Sequence, residues 1–101
     1  MSQDYKTIPV DTLRNLVEYC IRGRSPGGFL EAVLSNDLRK SFERGDITHI
    51  NALWAIITWV YNRAPSGAWG SPERVSQWEG LPNHEQASWT KRALMDTALE
   101  R

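Results

Sequence analysis

The sequence predicts an all-α protein, a compact bundle of five to six helices of which two are short. Apolar residues recur at steps of three and four, the spacing that places them on one face of a helix. Residues that favour helix starts precede these runs, and Gly, Asn or Pro follows them. No run alternates apolar and polar residues as a half-buried strand does. The length of 101 residues fits one domain over 1–101, in which we expect 1–7 to be flexible and 79–101 to form a connector and a last helix.

Two helices are predicted in the first third of the chain. The first begins at Pro9, because a proline fits the first turn of a helix, and it ends at Gly23. Ser25-Pro26 is a start signal for the second helix, with Gly27-Gly28 in its first turn. Asn36 tolerates the left-handed conformation and is expected to end that helix.

The middle of the chain carries the next two predicted helices. Asp37 is expected to cap a short helix that ends at Gly45. Asp46 is then expected to cap a central helix that runs from residue 47 to about residue 63 and ends before Pro65.

The central helix is apolar on more than one side. Its main face collects residues expected in the core: Ile50, Leu53, Trp54, Ile57, Val60 and Tyr61. Ile56 and Trp59 lie off that face, and a helix with two apolar sides is either central in a bundle or part of a subunit interface. We therefore expect a homo-oligomer, with Ile56 and Trp59 at its interface together with Trp89 of the last helix.

The last third of the chain begins with a turn-rich loop from Pro65 to Gly70. Ser71-Pro72 predicts another short helix, which Gly80 follows. Asn83 is expected to cap the last helix.

Charge and cysteine content restrict the function classes. Twelve basic and twelve acidic residues give a formal net charge of zero, and a protein that coats nucleic acid needs a positive excess. Cys20 is the single cysteine, which excludes an internal disulfide and favours the cytoplasm. We expect no leader segment, because the N-terminus has no charged start followed by an apolar run. We also expect no membrane span, because no apolar stretch approaches about 20 residues.

Few residues suit catalysis or metal binding. His49 and His84 lie on different predicted helices in polar surroundings, and Cys20 lies on the apolar face of the first helix. A zinc site needs about four ligands, and no P-loop motif is present. We therefore expect no catalytic residue, no metal, no cofactor and no enzymatic activity.

Two segments share a design that suits an anion, with an Arg close to a Ser-Pro helix start. A helix N-terminus offers free N–H groups and a partial positive charge, and Arg offers a planar fork for phosphate oxygens. The first segment contains Arg24, Ser25, Gly27, Gly28 and Phe29. The second contains Trp69, Gly70, Ser71 and Arg74. Glycine admits a ligand close to the backbone, and the aromatic residues offer faces for a stacked base.

An alternative interpretation of these segments needs no ligand. Ser-Pro is a common helix start, and glycines beside it can serve packing. The two arginines would then be solvated or paired with carboxylates such as Glu31 and Glu73.

One pattern of residues runs from Ile8 to Trp78 and consists of Ile8-Pro9, Leu16 to Tyr19, Gly28 to Leu38, Tyr61-Asn62, Pro65, Trp69 to Val75 and Trp78. This pattern resembles a widespread family of small, mostly uncharacterised bacteriophage and prophage proteins. The segment from Glu79 onward looks like an addition to that pattern or a variable end. The resemblance implies an accessory protein acting in the cytoplasm of an infected bacterium, and it transfers no catalytic residue.

Three functions are compatible with these features. The favoured one is a non-enzymatic homo-oligomeric sponge that counters bacterial immunity by sequestering a small phosphorylated ligand, such as a cyclic nucleotide. The second is an inhibitor or adaptor that contacts a host defence or regulatory protein through Trp59, Trp89 or the Asn36-Asp37 corner. The third is a small DNA-binding regulator, ranked last because the helix from Ile50 to Tyr61 is too apolar for a DNA groove.

Overall fold

A computed structural model describes residues 5–98 of the chain, which are all-helical and contain no strand. The seven helices are α1 (Val10–Arg22), α2 (Gly28–Leu34), α3 (Leu38–Arg44), α4 (Ile47–Asn51), α5 (Leu53–Arg63), α6 (Pro72–Gln77) and α7 (Asn83–Ala98). Two 3₁₀ turns, Tyr5–Thr7 and Ser66–Ala68, lie outside them. The all-α prediction is confirmed, with one more helix than expected. Over the described part of the chain, every helix is too short or too polar to cross a membrane.

The N-terminal turn is part of the core. Tyr5 and Ile8 are buried, the turn packs against α5, and the N–H of Ile8 donates to the carbonyl of Tyr5 at 3.1 Å. Two buried side chains thus hold Tyr5–Thr7 against the bundle, and the flexibility predicted for residues 1–7 stays a prediction. Residues 1–4 lie outside the described residues.

Helix α1 has the ends that its sequence predicts. Pro9 immediately precedes it, and Gly23 ends it in the left-handed conformation at φ 74°. The N–H of Gly23 donates to the carbonyl of Tyr19 at 2.8 Å, which satisfies one of the last carbonyls of the helix. Tyr19 and Cys20 lie on the buried side of α1, in the centre of the core.

Helix α2 begins later than predicted. It starts at Gly28, after Gly27 at φ 98°, so Ser25-Pro26 lies in the preceding loop. A positive φ at Gly27 cannot belong to a helical turn, which explains why the helix does not include it. The end of α2 is as predicted, because Asn36 is left-handed at φ 65° and Asp37 caps α3 by accepting from the N–H of Lys40 at 3.0 Å.

The predicted central helix is divided in two at Ala52. Asp46 caps α4 as expected, accepting from the N–H of His49 at 2.9 Å. The N–H of Ala52 then lies 3.2 Å from two carbonyls, those of Thr48 and His49, and the regular hydrogen-bonding pattern restarts beyond it. Ala52 is buried, so tertiary packing divides the helix at a residue that carries no local break signal.

The buried side of α5 agrees with the prediction only in part: Leu53 and Val60 are buried as expected, whereas Ile57 and Tyr61 are exposed. Ile56 and Trp59 are fully buried, and the Trp59 ring meets Trp89 edge-on with their centroids 6.4 Å apart. The indole N–H of Trp89 donates to the carbonyl of Arg63 at 2.8 Å. The predicted interface of Ile56, Trp59 and Trp89 is therefore wrong, because these side chains form the core of a single chain. Trp54, predicted in the core, is 75% exposed.

The C-terminal segment is integral to the same core. The indole N–H of Trp78 donates to the carbonyl of Tyr19 at 3.0 Å, and the N–H of Leu81 donates to that of Ile21 at 3.1 Å. Gly80 lies so close to the end of α1 that an added Cβ would stand 2.3 Å from the Ile21 carbonyl oxygen. Trp89 of α7 also belongs to the core. Residues 79–98 thus belong to the bundle.

Candidate functional site

A groove runs between α2, α3 and α6 and is the most polar concavity that we describe. It consists of two adjoining cavities of about 210 and 370 Å³, which share Glu31, Ser35 and Pro72 as lining residues. Because α2 packs directly against α6, segments from the two halves of the chain meet here. We call this region the polar groove.

The polar groove joins the two segments that the sequence singles out for anion binding. Gly28 lines one cavity, Ser25 lines the other, and Pro72 lines both. The polar groups at the two segments are not uncommitted, however. The Ser25 hydroxyl donates to the Glu31 carboxylate at 2.6 Å, and the N–H of Gly70 donates to the carbonyl of Leu34 at 2.7 Å. The prediction of free N–H groups at these helix starts is wrong for Gly70, and also for Gly27, whose N–H donates to the Ser25 hydroxyl at 3.4 Å.

The second segment is a capped helix start. Ser71 accepts from the N–H of Arg74 at 3.2 Å, as an N-cap does, and the Arg74 guanidinium donates to the carbonyl of Ser66 at 3.1 Å. Arg74 therefore stabilises the preceding 3₁₀ turn. Neither Arg74 nor Arg24 lines the polar groove.

The two predicted stacking residues also have other roles. Phe29 is buried, with its ring centroid 5.0 Å from that of His49. Trp69 is half-buried, with its ring centroid 5.8 Å from that of Tyr61. Both rings lie outside the polar groove, so they offer no stacking face to a molecule held there.

The cations of the polar groove come from α3, which the sequence analysis missed. Lys40 and Arg44 are four residues apart, a helical spacing that places them on one side of α3, and both line the smaller cavity. A Cβ added at Gly28 would lie 2.9 Å from Nη1 of Arg44, so the guanidinium lies directly over that glycine. Within residues 5–98 no salt bridge engages either cation. The spacing was visible in the sequence, but the direction in which α3 faces was not.

The carboxylates of the polar groove are already engaged. Glu31 accepts from the Ser25 hydroxyl, and Asp37 accepts from the N–H of Lys40 at the start of α3. Their negative charges still offset those of Lys40 and Arg44. The groove therefore combines two unpaired cations with two hydrogen-bonded carboxylates.

Neither Tyr19, which lines the larger cavity of the polar groove, nor its neighbour Cys20 is activated for catalysis. The Tyr19 hydroxyl donates to the carbonyl of Ala68 at 2.6 Å, and burial, with smaller contributions from Cys20 and Glu31, raises the pKa of that hydroxyl. Burial also raises the pKa of the Cys20 thiol to about 12, so its nucleophilic thiolate form is scarce at neutral pH. In the described part of the chain, no three His, Cys, Asp or Glu residues are grouped to hold a metal ion.

A hydrogen-bonded chain of Asp46, His49 and Thr12 joins α4 to α1, outside the lining of the polar groove. His49 Nδ1 is 2.8 Å from the Asp46 carboxylate, and His49 Nε2 is 2.9 Å from the Thr12 hydroxyl. A carboxylate, an imidazole and a hydroxyl in this order resemble the acid, base and nucleophile of a catalytic triad. Thr12 is only 3% exposed, however, and neither it nor His49 lines a described cavity. The arrangement orients α4 against α1, and the sequence analysis missed it because 37 residues separate His49 from Thr12.

Comparison with known proteins adds no functional assignment. No protein-family model, no characterised protein and no solved structure matches this chain. The resemblance to small bacteriophage proteins stays a prediction.

Proposed function

We propose that this protein is a non-enzymatic binding protein that holds a small phosphorylated ligand in the polar groove. The observation that carries the proposal is the pair of unpaired cations, Lys40 and Arg44, on the wall of a concavity. Arg44 supplies a planar donor fork for phosphate oxygens, and Lys40 adds a second positive charge one helical turn away.

The carboxylates of the polar groove restrict the ligand further. A bare phosphate would gain contacts with Lys40 and Arg44 but would meet the charges of Glu31 and Asp37. A nucleotide brings a phosphate for the cations and amino groups that donate to carboxylates. The larger cavity, at about 370 Å³, lies within the range of small-molecule sites. These features favour a nucleotide over a simple anion.

The biological role in this proposal rests on the resemblance to bacteriophage proteins. A small protein that binds a nucleotide signal tightly and performs no chemistry lowers the concentration of that signal. In an infected bacterium, such a sponge would counteract an immune system that signals through cyclic nucleotides. The bacterial cytoplasm is the compartment that this role requires.

Calorimetric titration with a panel of cyclic di- and trinucleotides and ADP-ribose derivatives tests the proposal. We expect one member to bind, and Arg44→Ala to weaken that binding by about ten- to one-hundredfold, since a charge-assisted hydrogen bond contributes roughly 1.5–3 kcal/mol. Arg44→Lys should restore only part of the affinity. Failure of every ligand to bind below about 100 μM would contradict the proposal.

Arg39→Ala is the matched control for Arg44→Ala. Arg39 lies on the same helix but outside the lining of the polar groove, and its guanidinium pairs with Glu43 at 3.0 Å. Its removal should leave ligand affinity unchanged. Gly28→Ala provides a second variant, because its methyl group displaces the Arg44 guanidinium without removing a charge. We expect it to weaken binding as well.

A further inference from the structure

A second surface, on the outer side of α3 and α5, is apolar and exposed. Five large side chains form it, and we call it the apolar patch: Leu38 (59% exposed), Phe42 (50%), Trp54 (75%), Ile57 (37%) and Tyr61 (73%). None of these side chains belongs to the polar groove. The patch therefore has no role in the function proposed above.

The members of the apolar patch are contiguous. Trp54, Ile57 and Tyr61 are three and four residues apart, which places them on one face of α5. Leu38 and Ile57 line the same small cavity, which joins α3 to α5, and Phe42 lies one turn beyond Leu38. This arrangement makes a single surface that two helices share.

The area of the apolar patch matches what a dimer needs. An aromatic side chain carries roughly 150–250 Å², so at these exposures the whole patch presents roughly 500–600 Å² to water. That is at the upper end of the largest patch found on monomers. A standard interface buries about 800 Å² per partner, of which about 65% is apolar in homodimers. The patch supplies this apolar share.

The charge pattern favours a second copy over a charged partner. In a two-fold symmetric contact each residue meets the same surface on its partner, so charged groups tend to repel their own copies. The residues of α5 from Leu53 to Tyr61 include no charged side chain, and Arg39 and Glu43 on α3 neutralise each other at 3.0 Å. The chain as a whole has a formal net charge of zero.

We infer that the apolar patch is the interface of a symmetric homodimer, in which α5 of one protomer lies against α5 of its partner. Ile57 lies near the two-fold axis, because it is the middle member of the α5 face and also contacts the α3 side of the patch. The dimer buries the exposed indole of Trp54.

Sedimentation equilibrium of the full chain, from 1 to 500 μM by about tenfold steps, tests the inference. We expect a mass that rises to twice that of one chain and no further. Trp54→Glu should weaken dimerisation by about 30-fold or more, because it places a charge where a large aromatic side chain would be buried in the interface. Val10→Glu is the matched control, because Val10 is a 55% exposed apolar residue on α1 that does not belong to the apolar patch. It should dimerise like the unchanged protein.

Cross-linking provides a readout that does not depend on affinity. Ile57→Cys near the two-fold axis should form a disulfide with its own copy under mild oxidation. Val10→Cys should form no such disulfide. The native Cys20 should not react, because it is fully buried. Circular dichroism verifies that each variant is folded.

Three outcomes would overturn the inference. One is a monomer mass up to 500 μM, which leaves the apolar patch for a different protein. Another is a dimer that Trp54→Glu does not weaken, and the third is growth beyond a dimer, which indicates a head-to-tail contact. A monomer that still binds a nucleotide refutes the dimer alone, whereas a dimer that binds none refutes the proposed function alone.

Discussion

The two faces of α5 are almost equally apolar in composition but have opposite environments. Ile56 and Trp59 on the inner face are fully buried, whereas Trp54 and Tyr61 on the outer face are about three-quarters exposed. Each face carries aromatic and aliphatic residues at helical spacing. The difference arises from what packs against the helix: α7 brings Trp89 onto Trp59, while the outer face is covered only in part, by Leu38 of α3 and by Trp69.

This comparison shows that hydrophobicity alone does not decide which side of such a helix is inside. The inner face is selected by partners distant in sequence, such as the N-terminal 3₁₀ turn and α7. Stability should therefore depend strongly on the inner face and weakly on the outer one. Variants at three places compare the contributions of buried and exposed groups to stability.

The largest expected effect comes from truncating the two tryptophans. Trp59→Ala should lower the free energy of unfolding by about 3–5 kcal/mol, because it removes a buried ring and leaves a cavity beside Trp89. Trp54→Ala should change it by less than about 0.5 kcal/mol, because that ring is mostly in water. Urea denaturation at low micromolar concentration measures both. Similar losses from the two variants would contradict the assignment of the faces.

An intermediate effect is expected from removing single hydroxyl groups. Tyr19→Phe should cost about 1–3 kcal/mol, because it leaves the Ala68 carbonyl without its buried donor. Tyr61→Phe serves as the exposed counterpart and should cost less than about 0.5 kcal/mol. Thermal unfolding of both variants at one pH gives the comparison, and a Tyr19→Phe variant as stable as the unchanged protein would refute the role of this bond.

The smallest effect concerns the cap that starts the α4–α5 segment. The backbone N–H of His49, followed by its side chain, lowers the pKa of the Asp46 carboxyl below its ordinary value of 3.8. A lowered folded-state pKa means that the stabilisation is complete above pH 3.8 and is lost as the pH falls through the folded-state value. Urea denaturation of the unchanged protein should show this loss below pH 4.

Asp46→Asn isolates that titration, because Asn still caps a helix but carries no charge. The difference in stability between the two proteins should shrink as the pH falls below 3.8. A difference that does not change with pH would show that the Asp46 charge contributes nothing.

Local chemistry explains which parts of the fold were predictable. Gly23 and Asn36 adopt the left-handed conformation, and Asp37, Asp46 and Ser71 cap helices, each through atoms within a few residues. The division at Ala52 and the choice of face on α5 depend on packing between distant elements. Neither the division at Ala52 nor the buried face of α5 can be predicted from the residues close by in the sequence.

The candidate site was predictable only in part, for the same reason. The segments around Gly28 and Pro72 could be singled out from the sequence, because glycine permits backbone conformations that other residues avoid and Ser-Pro marks helix starts. Their meeting in one groove and the supply of cations by Lys40 and Arg44 follow from how α2, α3 and α6 pack. Arg74, which the sequence placed in the site, instead reaches the carbonyl of Ser66.

The contact of Gly80 with the end of α1 has a consequence for folding kinetics. The backbone segments meet only after the chain has closed a loop of about sixty residues, as the bond from Trp78 to Tyr19 shows. Helices α2 and α3, by contrast, are joined by a short corner and can pair early. Closing long loops carries an entropic cost before any contact compensates for it, so docking of the segment around Gly80 is expected late in folding. Any side chain larger than hydrogen at Gly80 should therefore slow the docking of this segment onto α1. It should leave the earlier pairing of α2 with α3 unchanged.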